Sequence, residues 1–255
     1  MMKVLITAGG TNEDIDSVRS ITNRSTGRLG SAIADMFASK GAIITYVCGE
    51  KAVLPSAENV EIIRIRNVKG LLELVEELLK TRKFDCVIHS MAVSDFTPQA
   101  ILTLDDIVEN VLSAINGQNI SQSELEREIR SAVLASGRPL NDSKISSKNS
   151  DLMISLGRTP KVIGRIKAIQ PETILVGFKL LSGASEEELL QAGERLLLQN
   201  SCDFVLANDL RDVENESHKA FLINKSGLLY KADTKQEIAE VIYKAVSEII
   251  SREDK

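Results

Sequence analysis

The stretch Lys3–Thr11, KVLITAGGT in one-letter code, decides the fold, because an apolar run ends there in two glycines. Consecutive apolar residues followed by a small, polar turn are typical of a buried strand. From Gly27 the apolar residues recur at helical spacing as far as about Lys40, and Gly41 is a natural helix stop. A strand, a glycine-bearing turn and a helix in this order predict the start of a parallel α/β sheet.

The same alternation recurs along the chain. Apolar strands separated by amphipathic helices predict an α/β, Rossmann-like, mostly parallel sheet with helices on both faces. Further strands are predicted at 43–47, 60–65, 86–88, 151–156, 174–176 and 204–207, with a hairpin over 220–231. Further helices are predicted at 71–79, 160–168, 185–199 and 234–250. Pro160 fits the first turn of its helix.

The stretch between residues 99 and 148 interrupts this alternation. Helices are predicted over 105–115 and 121–134, and a capping box of Ser121 and Glu124 opens the second. Turns rich in glycine, asparagine and serine lie between and after these helices. We therefore expect a helical and loop insertion, or flap, within a single Rossmann-like domain covering residues 1–255.

The composition excludes several classes of function. The 31 Lys and Arg against 36 Asp and Glu give a net charge of −5, so a nucleic-acid partner is not expected. The cysteines 48, 86 and 202 form no C-x-x-C pair, so neither a zinc knuckle nor a redox pair is indicated, and two histidines exclude a histidine-rich metal site. Cys48 and Cys86 lie in apolar runs, which favours buried, reduced thiols. No window reaches the ~18 apolar residues of a membrane span. Because no secretory leader opens the sequence, we expect a cytoplasmic protein without a membrane partner.

The loop Thr11–Thr26 separates two glycine pairs, Gly9–Gly10 and Gly27–Gly30, that a dinucleotide-binding fingerprint would join as G-x-G-x-x-G. Loops longer than about 12 residues in compact domains are usually functional or disordered. Ser25 and the amides at the helix start could donate to phosphate oxygens. The alternative is a capped and solvated loop.

Four predicted strands end in polar or glycine-bearing segments, at 7–10, 89–95, 177–179 and 207–209. Ligands of α/β sheets gather outside the carboxyl ends of the strands, so these segments predict an active-site rim. Asp95 could accept a hydrogen bond or hold a metal through water, and a helix cap is the alternative. His89 is expected to be a core or near-surface residue rather than a catalyst. Lys144 could neutralise a polyphosphate, unless it is simply solvated.

Together these motifs resemble phosphopantothenoylcysteine synthetase (phosphopantothenate–cysteine ligase), in its stand-alone bacterial form. The resemblance runs in order from residue 3 to about residue 250. Its most specific part is TAGGT at 7–11 followed by D-x-V-R-x-I-x-N-x-S-x-G-x-x-G at 16–30. Weaker matches are AVSDF at 92–96, KI at 144–145, VGF at 176–178 and AND at 207–209.

The resemblance implies a ligase of coenzyme A synthesis. A nucleoside triphosphate, with CTP favoured over ATP, would activate the carboxylate of 4′-phosphopantothenate as an acyl-nucleotide and release pyrophosphate. The amine of L-cysteine would then attack, giving an amide and a nucleoside monophosphate. Lysine and Mg²⁺ would offset the repulsion between the anionic reactants. The sequence does not identify the residues that would bind the Mg²⁺. The family also implies a homodimer, with the insertion reaching toward the partner.

Matching positions assign roles to individual residues. The expected catalytic residues are Asn23 and Lys144, with Lys144 on the phosphates and Asn23 also on the substrate. Further expected substrate contacts are Arg19, Ala92 and Asn208. The expected nucleotide contacts are Gly9, Gly10, Ser25, Gly27, Gly30, Ala92, Asp95, Pro160, Lys161, Phe178 and Lys179. The family's K-I-K-K is KISS at 144–147, and its N-P-D turn is TPK at 159–161, which leaves ATP open as the nucleotide.

Two other functions are weighed. A short-chain NAD(P)-dependent reductase shares the strand–glycine–helix opening, and Glu50 lies about 20 residues after the second glycine pair. That chemistry requires Tyr-x-x-x-Lys, whereas Tyr46, Tyr230 and Tyr243 are followed four residues later by Glu, Thr and Ser. The other alternative is a non-enzymatic nucleotide-binding regulator. Cysteine-dependent release of pyrophosphate distinguishes all three.

Overall fold

The computed structural model describes residues 1–116, 121–140, 151–214 and 217–253. The strands in these residues are β1 Lys3–Ala8, β2 Asn12–Asp14, β3 Ser20–Thr22, β4 Ile43–Gly49, β5 Val60–Ile65, β6 Cys86–His89, β7 Phe96–Thr103, β8 Arg138–Pro139, β9 Leu152–Arg158, β10 Ile174–Leu181, β11 Phe204–Glu214, β12 Ser217–Asn224 and β13 Gly227–Thr234. The helices are α1 Arg28–Ser39, α2 Val68–Thr81, α3 Leu104–Ile115, α4 Gln122–Ala135, α5 Ile163–Ile169, α6 Glu186–Asn200 and α7 Lys235–Glu253.

The chain divides into two compact units. The first comprises Met1–Thr11, Asn23–Val93 and Pro160–Lys255, and the second comprises Asn12–Thr22 and Ser94–Thr159. A single domain over residues 1–255 with an insertion at 99–148 stays a prediction. No helix in the described part of the chain is long and apolar enough to cross a membrane.

An eight-stranded sheet forms the centre of the first unit, in the order β13-β12-β11-β10-β6-β1-β4-β5. The six strands from β11 to β5 are parallel to one another, and β12 and β13 add to them as an antiparallel hairpin. The predicted Rossmann-like class is therefore confirmed. Parallel strands require crossover helices on the sheet faces, which explains why their sequences are apolar throughout.

Side chains alternate between the two faces of this sheet. Val4 and Ile6 of β1 pack in a cluster with residues of α1 and α7, whereas Leu5 packs in a second cluster with residues of α2, α5 and α6. All three side chains are fully buried. Burying such a side chain contributes roughly 1.5–3 kcal/mol, so the two clusters fix β1 at the centre of the sheet. Cys48 and Cys86 are buried and free, as predicted, and Cys202 is buried and free as well.

The second unit contains a three-stranded antiparallel sheet, β8-β7-β9, and the short hairpin β2-β3. Its helices α3 and α4 agree with the prediction, including the capping box of Ser121 and Glu124. Two expectations are wrong here. The strand predicted at 151–156 does not continue the parallel sheet, because β9 pairs with β7. The stretch from residue 99 also contributes to strand β7, so it is not helical and loop structure alone.

Three boundaries differ from the prediction in ways that bear on the site. The strands predicted to end at 177–179 and at 207 continue, because β10 and β11 pair as far as Leu181 and Asp209. Pairing between β6 and β10 ends at His89 and Gly177, so β10 extends beyond its other neighbour. Pro160 lies ahead of α5 and outside its first turn, since Val162 is the N-cap.

Candidate active site

The carboxyl ends of β1, β6, β10 and β11 lie side by side in the first unit, because these four strands are parallel neighbours in the sheet. Such an edge is where α/β proteins bind ligands. The four strands predicted to end in polar segments, β1, β6, β10 and β11, are therefore neighbours in the sheet, as the prediction requires. The edge combines three features, which are a close-packed group of glycines, the N-terminus of α1 and the chain that follows β6.

A glycine cradle, defined as Gly9, Gly10, Gly27, Gly49 and Ala52, lies beyond the ends of β1 and β4. Gly9 has φ 82° and Gly27 has φ 75°, a left-handed conformation that favours glycine. A Cβ on Gly9 would lie 2.7 Å from the Cβ of Ala52, and one on Gly49 would collide with the carbonyl oxygen of Gly10. The cradle is therefore close-packed, with Gly9, Gly27, Gly49 and Ala52 buried and Gly10 half-buried.

Helix α1 begins at this cradle. Its N-cap is Gly27, which has no side chain to cap the helix, and the first helical N–H, that of Arg28, donates to Thr26 Oγ1 at 3.5 Å. The first N–H groups of a helix carry its positive dipole end and bind anions readily. Gly30 lets the first turn approach the sheet, because a Cβ there would lie 2.5 Å from the Cβ of Ala8 and 2.8 Å from Ser90 Oγ. Ser25, before the helix, is half-buried, and its N–H donates to the carbonyl of Asn23.

The chain after β6 is tied to the end of β1. The N–H and the hydroxyl of Ser90 both donate to the carbonyl of Thr7, at 3.0 and 2.7 Å. The N–H of Ala92 donates to the carbonyl of Gly9 at 2.8 Å. The Nδ2 of Asn23 donates to the carbonyl of Ala92 at 3.2 Å, although Asn23 itself is exposed. The structure thus brings Asn23 and Ala92 together, as expected of two residues of one site.

His89 lies in the protein core, as predicted. It is 7% exposed, and its Nδ1 lies 2.8 Å from Thr7 Oγ1. Burial lowers the pKa of His89 to about 4, so the imidazole is neutral at pH 7. A neutral ring beneath the glycine cradle adds no positive charge to the edge.

Strands β10 and β11 carry Phe178, Lys179 and Asn208. Phe178 and Lys179 are half-buried, and they pair in register with Leu206 and Ala207. Asn208 is 6% exposed, and its Nδ2 lies 3.0 Å from the Nε2 of the buried His218. Burial and then Lys235 lower the pKa of His218 to about 4, so this pair is uncharged at pH 7. Substrate binding by Asn208 stays a prediction, because its amide already has a partner inside the protein.

Asp209, the last residue of the AND motif, has a structural role. One carboxylate oxygen accepts the N–H of Ala184 at 2.6 Å, and the other accepts the N–H and Nε of Arg211 at 2.8 and 3.0 Å. Arg211 holds the pKa of Asp209 down at about 2. The carboxylate fixes the turn before α6, where Ser185 and Glu188 form a capping box. This role was missed, although an acidic residue two positions before arginine is a visible signal.

The remaining residues expected to contact nucleotide or substrate belong to other segments of the chain. Pro160 and Lys161 are exposed and precede α5. Asp95 belongs to the second unit, where it is exposed and its carbonyl accepts the N–H of Thr159 at 3.0 Å. Arg19 also belongs to the second unit. Lys144, with the rest of the KISS motif, lies outside the described residues.

Two site features were not found from the sequence. Gly49 and Ala52 complete the glycine cradle, and the signal was Gly49, two positions after the end of the strand predicted at 43–47. Glu50 was considered as a ribose-binding acid, but both of its carboxylate oxygens accept from Arg66 Nη1, at 2.8 and 2.9 Å. No group of three or more His, Cys, Asp or Glu side chains that could hold a metal occurs in the residues the structure describes.

Comparison with known proteins gives consistent results. Residues 1–104 and 109–250 match the family model described as the DNA/pantothenate metabolism flavoprotein C-terminal domain. The coenzyme A biosynthesis bifunctional protein CoaBC of Thermococcus kodakarensis is 32% identical over 97% of this chain and 51% of its own length. A cysteine/cysteine sulfinic acid decarboxylase from an unknown prokaryotic organism is 28% identical over 97% of this chain and 58% of its own length.

A solved structure matches along its whole length. It is the DNA/pantothenate metabolism flavoprotein from Streptococcus pneumoniae, with 33% identity, a TM-score of 0.81 and coverage of 98% of this chain and 100% of that one. By contrast, the chain spans only about half the length of the two curated relatives.

Proposed function

Because the chain belongs to the family of the DNA/pantothenate metabolism flavoprotein C-terminal domain, we propose that it is a phosphopantothenate–cysteine ligase. The observation that carries the proposal is the glycine cradle beside the N-terminus of α1, whose N-cap Gly27 has no side chain. This arrangement offers backbone donors to phosphate oxygens. The name of the Thermococcus relative, a coenzyme A biosynthesis protein, agrees with such a substrate.

The proposed reaction has two steps. A carboxylate oxygen of 4′-phosphopantothenate attacks the α-phosphorus of the nucleotide, and pyrophosphate leaves with the electrons of the broken P–O bond. The amine of L-cysteine then attacks the acyl carbon, and the nucleoside monophosphate leaves with that oxygen while the amine loses a proton. No protein nucleophile is required, because the acyl-nucleotide is itself the activated species.

We assign the residues of the first unit by their chemistry. Gly9, Gly10, Gly27, Gly30 and Ser25 would receive the phosphates. Asn23, held against the carbonyl of Ala92, would orient the acyl-nucleotide through its uncharged amide. A fixed amide can stabilise developing negative charge without repelling the anionic reactants.

The nucleotide would be CTP, with ATP as the alternative. Phe178 and Lys179 on β10 and the exposed Pro160 and Lys161 would contact it. Lys144 would neutralise the triphosphate. Mg²⁺ commonly binds through substrate phosphates, waters and one or two carboxylates, so it would enter with the nucleotide and needs no dedicated protein cluster. Arg19, Asp95 and Asn208 are proposed as further substrate and nucleotide contacts.

We also propose a homodimer in the cytoplasm. Helix α3 of the second unit has no buried residue, and Leu104, Val108 and Leu112 on one helix face are 43%, 47% and 58% exposed. Leu134 on α4 is 76% exposed. Exposed apolar patches of this kind mark interaction surfaces, and a second copy of the chain would cover this one. Sedimentation should give a dimer, and Leu112→Glu should shift it toward monomer.

One assay tests the proposed ligase. Pyrophosphate release is measured with 4′-phosphopantothenate and Mg²⁺, with CTP or ATP, and with or without L-cysteine. We expect sustained release only when all substrates are present, with equal amounts of nucleoside monophosphate. Release of CO₂ from cysteine without nucleotide consumption would instead favour the activity in the decarboxylase's name. Oxidation of NAD(P)H would favour the reductase, which the pairing of Glu50 with Arg66 does not support.

A further inference from the structure

The hairpin β2-β3 in the second unit is organised around Asp16. Its side chain is fully buried, and its Oδ1 accepts the N–H groups of Val18 and Arg19, at 2.8 Å each. A carboxylate that accepts backbone N–H groups two and three residues ahead is a common way to close a tight turn. Oδ1 alone performs this task, so the turn does not explain the second carboxylate oxygen.

The second oxygen engages Arg19. Asp16 Oδ2 lies 3.2 Å from Arg19 Nε, and the arginine side chain is 44% exposed. The carbonyl of Arg19 also accepts the N–H groups of Ile15 and Asp16, at 2.9 and 3.2 Å. Arg19 is therefore held both at its backbone and at the inner edge of its guanidinium.

We propose that Asp16 is a positioning residue, which orients Arg19 toward an anionic group of 4′-phosphopantothenate. The inference rests on the proposed function. Arginine binds phosphate and carboxylate through paired N–H groups in a fixed plane, so the orientation of that plane determines affinity. A residue held before binding loses less conformational freedom on binding.

The negative charge of Asp16 indicates that it orients Arg19 and does not itself attract the anionic substrate. A carboxylate beside Arg19 lowers the net positive charge that an incoming anion meets, and taken alone this would weaken binding. A buried aspartate at this place is therefore explained by the geometry that it imposes on the guanidinium. Asparagine at position 16 would close the same turn but would not accept a hydrogen bond from Arg19 Nε. The substitution therefore separates the turn-closing role of Asp16 from its role in orienting Arg19.

The test is a double-mutant cycle in the full chain. Asp16→Asn keeps an oxygen for the turn and replaces the oxygen facing Nε by an N–H donor. Arg19→Gln removes the guanidinium, and Arg19→Lys keeps the charge without the planar group. Asp106→Asn is the matched control, because Asp106 is half-buried and pairs with the exposed Arg138 in the same unit. KM for 4′-phosphopantothenate, KM for CTP, kcat and melting temperature are measured for each.

We expect Arg19→Gln to raise KM for 4′-phosphopantothenate about 10- to 100-fold, the range of one charge-assisted contact. Asp16→Asn should raise it at least threefold, with KM for CTP and the melting temperature near the parental values. In the Arg19→Gln background, Asp16→Asn should not raise KM for 4′-phosphopantothenate any further. Arg19→Lys should resemble Arg19→Gln, and Asp106→Asn should resemble the parent.

Three results would overturn the inference. These are an unchanged KM in Asp16→Asn, an effect of Asp16→Asn that persists undiminished in the Arg19→Gln background, and a change confined to CTP. Calorimetric binding of 4′-phosphopantothenate to the same variants separates this inference from the ligase proposal. A parental protein that binds but does not turn over contradicts the ligase and still reports on Asp16, whereas absence of binding contradicts both.

Discussion

Substitution of Gly9 by alanine tests the geometry of the glycine cradle. Two penalties apply at this position. The left-handed conformation at φ 82° costs a residue with a Cβ about 1–2 kcal/mol. The new Cβ would lie 2.7 Å from the Cβ of Ala52, and such overpacking typically costs about 1–3 kcal/mol more. We therefore expect Gly9→Ala to lower the free energy of unfolding by roughly 2–5 kcal/mol.

Two further variants separate these penalties. Gly41 has φ 81° with nothing within 4 Å of a built Cβ, so Gly41→Ala should show the conformational penalty alone. Ala52→Gly removes the Cβ of Ala52, with which the new Cβ of Gly9→Ala would clash. In the double variant, the loss should therefore be smaller than the sum of the two single losses by about 1–3 kcal/mol.

Urea unfolding of the parent, the three single variants and the double variant measures these differences. The steric account is refuted if Gly9→Ala unfolds at the parental midpoint or no earlier than Gly41→Ala. Additive losses for Gly9→Ala and Ala52→Gly would also refute it, because the two positions would then not be in contact. Pyrophosphate release by Gly9→Ala should fall below the parental rate even where the variant is fully folded, since the cradle is the proposed phosphate site.

Three other predictions concern chemistry and pH. Asn23→Asp should lower turnover at least tenfold with little change in melting temperature, because a carboxylate repels bound anions; Asn224→Asp, at an exposed turn, should match the parent in the same assays. Lys144→Ala should slow pyrophosphate release about 10²–10³-fold, the loss typical of one transition-state donor, whereas Lys148→Ala should leave it unchanged; impairment of Lys148→Ala alone would place the motif four residues out of register. Because the pKa of His89 is about 4 in the folded protein against 6.5 ordinarily, the unfolded chain takes up its proton first as pH falls. The contribution of His89 should thus lower stability by on the order of 2 kcal/mol between pH 7 and pH 4.5, and His218, whose pKa is also about 4, adds a decline of the same sign. His89→Gln should therefore decline less steeply than the parent, and an equally steep decline would exclude His89 as a cause.

The central sheet could be predicted because its strands are apolar on both faces. The strand at 60–65 was predicted with the bounds that β5 has, and the amphipathic pattern of α2 and α7 was equally clear. Family membership, predicted from the spacing of Asp16, Arg19, Asn23 and the glycines, is confirmed by the match over most of the chain.

The second unit was predicted less well for physical reasons. Strand β7 contains Pro98, which cannot donate a ladder hydrogen bond, and the register of β7 with β9 shifts between Pro98 and Ala100. Strand β2 is Asn-Glu-Asp, residue types with low strand preference, and its pairing depends on the turn held by Asp16. Strand β9 was predicted from its sequence, but its pairing with β7 was not. A local pattern of apolar residues does not specify which strand is the partner.

The candidate site was predicted unevenly. Glycines required by a left-handed backbone leave a direct signal in the sequence, and Gly9 and Gly27 follow it. The contact of Asn23 with Ala92 joins residues 69 positions apart, which only the sheet topology brings together. The contact between Asn208 and His218 depends on the register between β11 and β12, which shifts between Asn208 and Val213, and no spacing rule anticipates it.

Transfer of oxygen during the reaction tests the ligase mechanism most directly. 4′-Phosphopantothenate labelled with ¹⁸O in its carboxylate is converted with CTP and L-cysteine, and the phosphorus products are analysed by mass spectrometry. The account predicts one ¹⁸O atom in the cytidine monophosphate formed and none in pyrophosphate, because the carboxylate oxygen attacks the α-phosphorus and leaves with it. Label in inorganic phosphate, with cytidine diphosphate as the other product, would contradict the acyl-nucleotide and show attack at the γ-phosphorus instead.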